Sequence, residues 1–113
     1  MGGFRLTVRH GSRVERESFA RLDEAVAAIA SRVEEIRREG PLGGINALRD
    51  YESGQRVHAR LELSTGGVFR GREVGIDVMG DGALVPFAGV VRRRRLQQRD
   101  GQTAFEAIRA ALQ

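Results

Sequence analysis

Apolar residues recur along this chain at two periods, and the changes of period mark its elements. In FRLTVRH, residues 4–10, Phe4, Leu6 and Val8 alternate with other residues, which is the signature of a strand with one buried face. Gly11-Ser12 reads as a hairpin turn into a second, polar strand, VERESF. Two- and three-residue loops give opposite pairings, so the pattern leaves that register open. From Leu22 the spacing changes. Leu22, Val26, Ile29, Val33 and Ile36 make one stripe along a helix. Asp23 and Glu24 sit in its first turn and Arg37 and Arg38 in its last, where they complement the helix dipole. Gly40-Pro41 stops it. The stretch LGGINALRDYESGQ has little period. Ile45, Leu48 and Tyr51 fit one short helical turn in a long connection, either a packed connector or a binding loop.

VHARLELST returns to alternation, with Val57, Ala59, Leu61 and Leu63 inward and His58, Arg60 and Glu62 outward. Gly66-Gly67 turns the chain, and REVGIDVM points Val74, Ile76 and Val78 inward. GDG at 80–82 turns it again, with Asp81-Gly82 a favoured two-residue hairpin loop. ALVPFAGVVRRRR is the third strand of this group. Pro86 has no N–H to give a ladder, which places that strand at an edge or at a bulge. Thr103 and Glu106 form a capping box that opens a helix with Phe105, Ile108 and Leu112 on one side. The pattern predicts one α+β domain over residues 1–113, in the order ββαβββα, with both helices on one face of an antiparallel sheet.

The two later turns imply a register. A two-residue loop at Asp81-Gly82 sets Val78 opposite Val85, Ile76 opposite Phe87 and Val74 opposite Gly89. A two-residue loop at Gly66-Gly67 sets Val57 opposite Ile76, Ala59 opposite Val74 and Leu61 opposite Arg72. Followed toward the Gly66-Gly67 end, this inner face changes from apolar to basic: Val74 gives way to Arg72 and Arg70, and Val91 to Arg93 and Arg95. Like charges opposed on a sheet repel, and burying them unpaired costs several kcal/mol per ion. The strands are therefore expected to run past the helices into water. Arg70, Arg72, Arg92, Arg93, Arg94 and Arg95 would then form a cationic tip on both faces of a projecting strand end. The other reading is a solvated rim, with arginine stems over the core edge and Asp50 and Glu52 as partners.

Composition narrows the chemistry. The 113 residues carry a formal charge of +4. Arg92, Arg93, Arg94, Arg95 and Arg99 supply five positive charges, so the remainder sums to −1. All nineteen basic residues are arginine, which GC-rich coding explains as readily as phosphate binding. The absence of cysteine removes disulfides, thiolate metal sites and cysteine nucleophiles. No run is long enough for a membrane span and no signal-peptide core is present, and MGGFRL lacks the Ser or Thr that myristoylation requires, so the expectation is a soluble cytoplasmic protein. His10 and His58 read as separate surface residues without a neighbouring ligand, Asp81 as a turn residue, and Glu62 and Glu73 as surface charges paired with arginine. No phosphate loop, nucleophile elbow or zinc-protease motif occurs, and no cofactor, metal or enzymatic activity is expected.

From residue 21 onward the predicted order helix, three strands, helix is similar to that of double-stranded RNA-binding domains and of the core of ribosome hibernation factors. The likeness is one of topology. The basic cluster that opens the second helix of double-stranded RNA-binding domains has no counterpart in DGQTAFEAIRAAL. Two functional expectations follow from the residues. One is a non-enzymatic module whose arginine tip contacts nucleic-acid phosphates, structured RNA ahead of DNA. The other is an assembly or adaptor protein, a homodimer or a protein-binding domain. It would pair through an edge strand near Pro86 or through a bare outer sheet face carrying Met79, Leu84 and Val90.

Overall fold

Alternation at residues 4–10 is realised as strand β1 (Phe4–His10), which pairs with β2 (Arg13–Phe19) from Phe4↔Phe19 to His10↔Arg13. In this computed structural model, residues 3–39, 57–65, 72–89 and 93–112 are described. The pairing settles the open register as a two-residue loop. Gly11 has φ 64° and Ser12 a negative φ, the combination of a type II′ turn with glycine first. Helix α1 (Leu22–Arg38) buries Ala25, Ile29, Val33 and Ile36, with Leu22 packed beside them partly buried and Ala25 taking the buried place expected for Val26, which is half-buried. Arg21 precedes it without a side-chain cap, so the acidic first turn and basic last turn supply its end electrostatics.

Strand β3 (Val57–Thr65) pairs antiparallel with β1 on the side away from β2. Strands β4 (Arg72–Met79), β5 (Leu84–Ala88) and β6 (Arg94–Arg95) follow, giving an antiparallel sheet of order β2-β1-β3-β4-β5-β6. Helix α2 (Ala104–Leu112) closes the described chain. Its capping box forms as expected: Thr103 N donates to Glu106 Oε1 at 2.9 Å and Glu106 N donates to Thr103 Oγ1 at 3.1 Å. α1 covers β1 to β3 and α2 covers β4 and β5, and Arg109 of α2 pairs with Asp23 of α1. One face of the sheet thus packs Leu6, Val8, Leu61, Leu63, Val74, Ile76 and Val78 against Ile29, Val33, Ile36 and Ile108. Burying each such side chain stabilises the fold by roughly 1.5–3 kcal/mol, which drives the two layers together. The α+β class, the antiparallel sheet and the two helices on one face are as the pattern predicts. Among the described residues no helix is long and apolar enough to cross a membrane.

The last three strands depart from the predicted register. β3 and β4 pair as Ala59↔Val78, Leu61↔Ile76, Leu63↔Val74 and Thr65↔Arg72. From Ala59 onward the shift from the expected pairing is even, so the faces are unchanged; before it the register shifts, and Val57, expected inward, is exposed opposite Met79. The Thr65↔Arg72 pair is incompatible with a two-residue loop at Gly66-Gly67, and residues 66–71 lie outside the described residues. β4 and β5 pair as Val74↔Ala88, Gly75↔Phe87, Ile76↔Pro86, Asp77↔Val85 and Val78↔Leu84, one residue away from expectation. A one-residue slip reverses every side chain of a strand. Leu84, Pro86 and Ala88 therefore face the helices, and Val85 and Phe87 face the other way.

The turn explains the slip. A two-residue Asp81-Gly82 loop of type I′ needs positive φ at both residues, and no residue other than glycine has one among those described. Asp81 instead accepts the Ala83 N–H on Oδ1 at 2.9 Å, while Met79 and Ala83 close a three-residue loop with Gly82 at φ 89°.

Residues 84–95 are not one strand. β5 stops at Ala88, Gly89 takes φ 109°, and Arg94–Arg95 return antiparallel along the far side of β5. From α1 onward the order is helix, four strands, helix, one strand more than predicted. β5 is thus interior, and the expected edge at Pro86 does not exist. Leu96 N donates to Pro86 O at 2.8 Å, so the donor that proline lacks falls on the side of the very short β6. The predicted helical turn over Ile45, Leu48 and Tyr51, together with Asp50, Glu52, Gly40-Pro41 and Val90, lies outside the described residues.

A cationic sheet face as the candidate binding site

The sheet face turned away from both helices carries charged residues from β1, β2, β3, β4 and β6. Its centre is built on Gly75. A Cβ there would fall on the Leu61 carbonyl oxygen and on the Phe87 ring, whose Cε2 would lie 2.8 Å away. The missing side chain lets Phe87 lie flat across β4. Phe87 is only 4% exposed although no described helix covers this face. The Arg60 and Arg93 guanidinium carbons each lie 5.5 Å from its ring centroid, so cations shield it from water. The alternation pattern places Phe87 in the helix-facing core, and the β5 slip moves it here.

Around this ring the charges interlock. Arg60 donates to Asp77 through Nε at 2.6 Å and Nη2 at 3.1 Å, a two-point contact between directly paired residues. Glu62 receives Arg9 Nε on Oε1 and Arg93 Nη2 on Oε2, each at 2.7 Å. Glu62 is 8% exposed, so it is a buried bridge between β1 and the segment entering β6, not the surface charge expected. Burial pushes its carboxyl up, but hydrogen bonds from Arg9 and Glu73 and the charge of Arg93 outweigh that and hold it below the usual range. Burial pushes neighbouring Glu73 above its usual range, reinforced by its contact with Glu62. Of the two, Glu73 is the carboxyl that takes up a proton first as pH falls.

A prediction follows for Glu73→Gln. A carboxyl whose folded pKa is raised keeps a proton that the unfolded chain has lost, so stability falls as pH rises from about 4.5 through the folded value. The amide abolishes that loss. Urea denaturation should find the variant more stable than wild type at about pH 7 and indistinguishable from it below about pH 4.

Among the described residues, the arginines of the predicted tip do not gather as one cluster. Arg72 is exposed at the start of β4 opposite Thr65. Arg93 and Arg95 are on the uncovered face, Arg93 bonded to Glu62 and Arg95 paired with Phe87. Arg94 is exposed opposite Ala88, toward the helix side. Arg70 and Arg92 lie outside the described residues. The physical reason is the chain reversal at Gly89, which converts a projecting strand end into a folded-back edge. The register brings a different set together. Arg5, Arg9, Arg16, Arg60, Arg93 and Arg95 share the uncovered face with the carboxylates Glu62, Glu73 and Asp77. Arg5, Arg9 and Arg16 are not among the arginines that the sequence singles out. Their signal was the alternation of β1 and β2, where every polar position opposite Phe4, Leu6 and Val8 was available to this face.

The proposed bare apolar face is likewise revised. Leu84 packs against the core and Met79 is half-buried opposite Val57. The histidines also differ from expectation. His58 is the extra residue of a β3 bulge between Val57 and Ala59, and its Nε2 lies 3.1 Å from Nε2 of His10. His10 Nδ1 is 3.7 Å from Glu39 Oε2 at the end of α1. Burial, and secondarily the charge of His10, push the His58 imidazole below its ordinary value.

No family model, no curated protein and no solved structure matches the chain.

Proposed function

We propose that the uncovered sheet face is a polyanion-binding surface and that the protein acts as a small non-enzymatic module contacting nucleic-acid phosphates, structured RNA ahead of DNA. The observation that carries this is the charge imbalance on one helix-free face: among the described residues, six arginines against three carboxylates. Arg9, Arg60 and Arg93 are held by Glu62 and Asp77, which fixes their positions before a ligand arrives. Arg5, Arg16 and Arg95 are exposed around them. Phe87 is buried beneath guanidinium groups and offers no platform for stacking single-stranded bases, which favours duplex or folded nucleic acid. The wide, shallow groove of A-form RNA suits a broad surface better than the deep groove reading of B-form DNA does.

The competing reading, self-assembly through a sheet edge, has less support. β6 is two arginines long, and β2 turns Arg13, Glu15 and Glu17 toward the helix side, devices that discourage strand addition.

The test is fluorescence anisotropy with a folded RNA hairpin, duplex DNA and a single strand at several salt concentrations. Wild type is expected to bind with a steep inverse salt dependence. Arg5→Gln/Arg16→Gln/Arg95→Gln is expected to bind more weakly, with the log–log salt slope on duplex DNA shallower by about 0.9 for each phosphate that the variant no longer neutralises. An unchanged slope in a folded triple variant, or no wild-type binding at low salt together with a dimer in sedimentation, would sink the proposal.

A further inference from the structure

Away from the cationic face, the far end of the sheet brings together the two histidines of the chain. His10 is the last residue of β1, and His58 is the extra residue of the β3 bulge. Bulges commonly re-aim a side chain, and this one turns His58 across the strand toward His10. The ring centroids are 4.7 Å apart with planes inclined at 70°, and the two Nε2 atoms stand 3.1 Å from each other.

We propose that His10 and His58 form a two-imidazole chelate for a late first-row divalent metal ion, with zinc as the working example. Two imidazole nitrogens at about 2.0–2.1 Å from one such ion, at angles between square and tetrahedral, are separated by about 2.9–3.4 Å. The observed 3.1 Å falls inside that interval. Ligation requires a lone pair on each Nε2, hence the proton on Nδ1 or absent. Glu39 Oε2, 3.7 Å from His10 Nδ1, favours the tautomer with the proton on that side. A carboxylate behind a ligating histidine is the usual outer partner of such sites.

Among the described residues no group of three His, Asp or Glu side chains is arranged to hold a metal. In the proposed site, water fills the remaining coordination positions. Imidazole nitrogen without thiolate selects zinc, nickel and copper over magnesium and calcium. The ion would tie the ends of β1 and β3 together beside the C-terminus of α1.

The experiment is a titration of chelator-treated full-length protein with Zn²⁺, and separately with Mg²⁺, followed by calorimetry and by nitrogen-15 NMR of the imidazoles. One equivalent of Zn²⁺ is expected to shift the Nε2 resonances of both histidines while Mg²⁺ shifts neither. His10→Gln and His58→Gln are each expected to abolish the binding. Glu39→Gln, which leaves both ligands in place, is expected to weaken it about 10- to 100-fold. Circular dichroism confirms that each variant is folded. If Zn²⁺ leaves both resonances unmoved, or if a folded His58→Gln variant binds it as tightly as wild type, the two nitrogens make only a hydrogen bond to one another and the site does not exist.

Discussion

Gly75→Ala is expected to be the most damaging single-methyl change in the protein, costing about 3 kcal/mol of stability in urea denaturation. The added carbon meets two obstacles that move differently. One is the Leu61 carbonyl oxygen, fixed by the β3–β4 ladder. The other is the Phe87 ring, whose Cε2 would be 2.8 Å away. Small-to-large changes in a packed site are accommodated only by displacing neighbours. Here the neighbours are a central strand and the ring around which the charged face is built. Gly75 has no positive φ, so the cost is one of space and not of backbone conformation. A variant as stable as wild type would show that β4 and Phe87 are not in contact and that the β5 register is wrong.

Phe87→Ala is expected to lose about 3–5 kcal/mol, the range for removing a fully buried aromatic ring. The value is diagnostic because Phe87 sits on the helix-free face. A phenylalanine on an ordinary solvated face would cost little on truncation. Phe87 is buried between Gly75 and the guanidinium groups of Arg60 and Arg93, and two cation–ring contacts go with it. The double variant Gly75→Ala/Phe87→Ala completes a cycle. The ring part of the alanine clash disappears once the ring is gone and the Leu61 part remains. The two single-variant costs should therefore sum to more than the cost of the double variant, by about 0.5–3 kcal/mol. Strict additivity would mean that the two residues do not touch. A cost under about 1 kcal/mol for Phe87→Ala alone would place the ring in solvent.

Buried Glu62 links these stability effects to the proposed surface. It holds Arg9 from β1 and Arg93 from the segment entering β6, with Phe87 packed beneath Arg93. The same contacts, which span the sheet from β1 to the segment entering β6, set the spacing of two of the six arginines offered to a polyanion. A basic face assembled from strands far apart in sequence is in this sense a product of the core that lies behind it.

Much of the fold was legible along the chain because short-range periods carry it. Three- and four-residue spacing from Leu22 to Ile36 marked α1, and alternation marked the inner faces of β1, of β4 and of β3 from Ala59 onward, while the bulge at His58 turns the expected inward Val57 out to solvent. Thr103 and Glu106 marked the start of α2 through a hydrogen-bond exchange confined to one turn. The helix-side core residues Leu6, Val8, Leu61, Leu63, Val74, Ile76 and Val78 were all readable for the same reason. β5 was not. Its residues Leu84 to Ala88 are nearly all apolar and alternate with nothing polar, so neither face is marked by composition. The register then rested on the turn, where Asp-Gly is compatible with a two-residue or a three-residue loop. The Asp81 bond to Ala83 N and the seating of Phe87 over Gly75 decide for three.

The order of residues was enough for the α+β class, the two helices, the inner faces of three strands and the excess of arginine, because each depends on positions close together along the chain. The location of the positive charge depended on the folded chain. Four adjacent arginines look like one cluster in the sequence, yet beyond Gly89 the chain brings Arg94 and Arg95 back along β5, and strand pairing sends neighbours to opposite faces. Arg93 and Arg95 thereby join Arg5, Arg9, Arg16 and Arg60, and His10 meets His58. Those meetings are set by register. Register is the sum of a turn geometry and the burial of a whole strand, and no local stretch of sequence contains both.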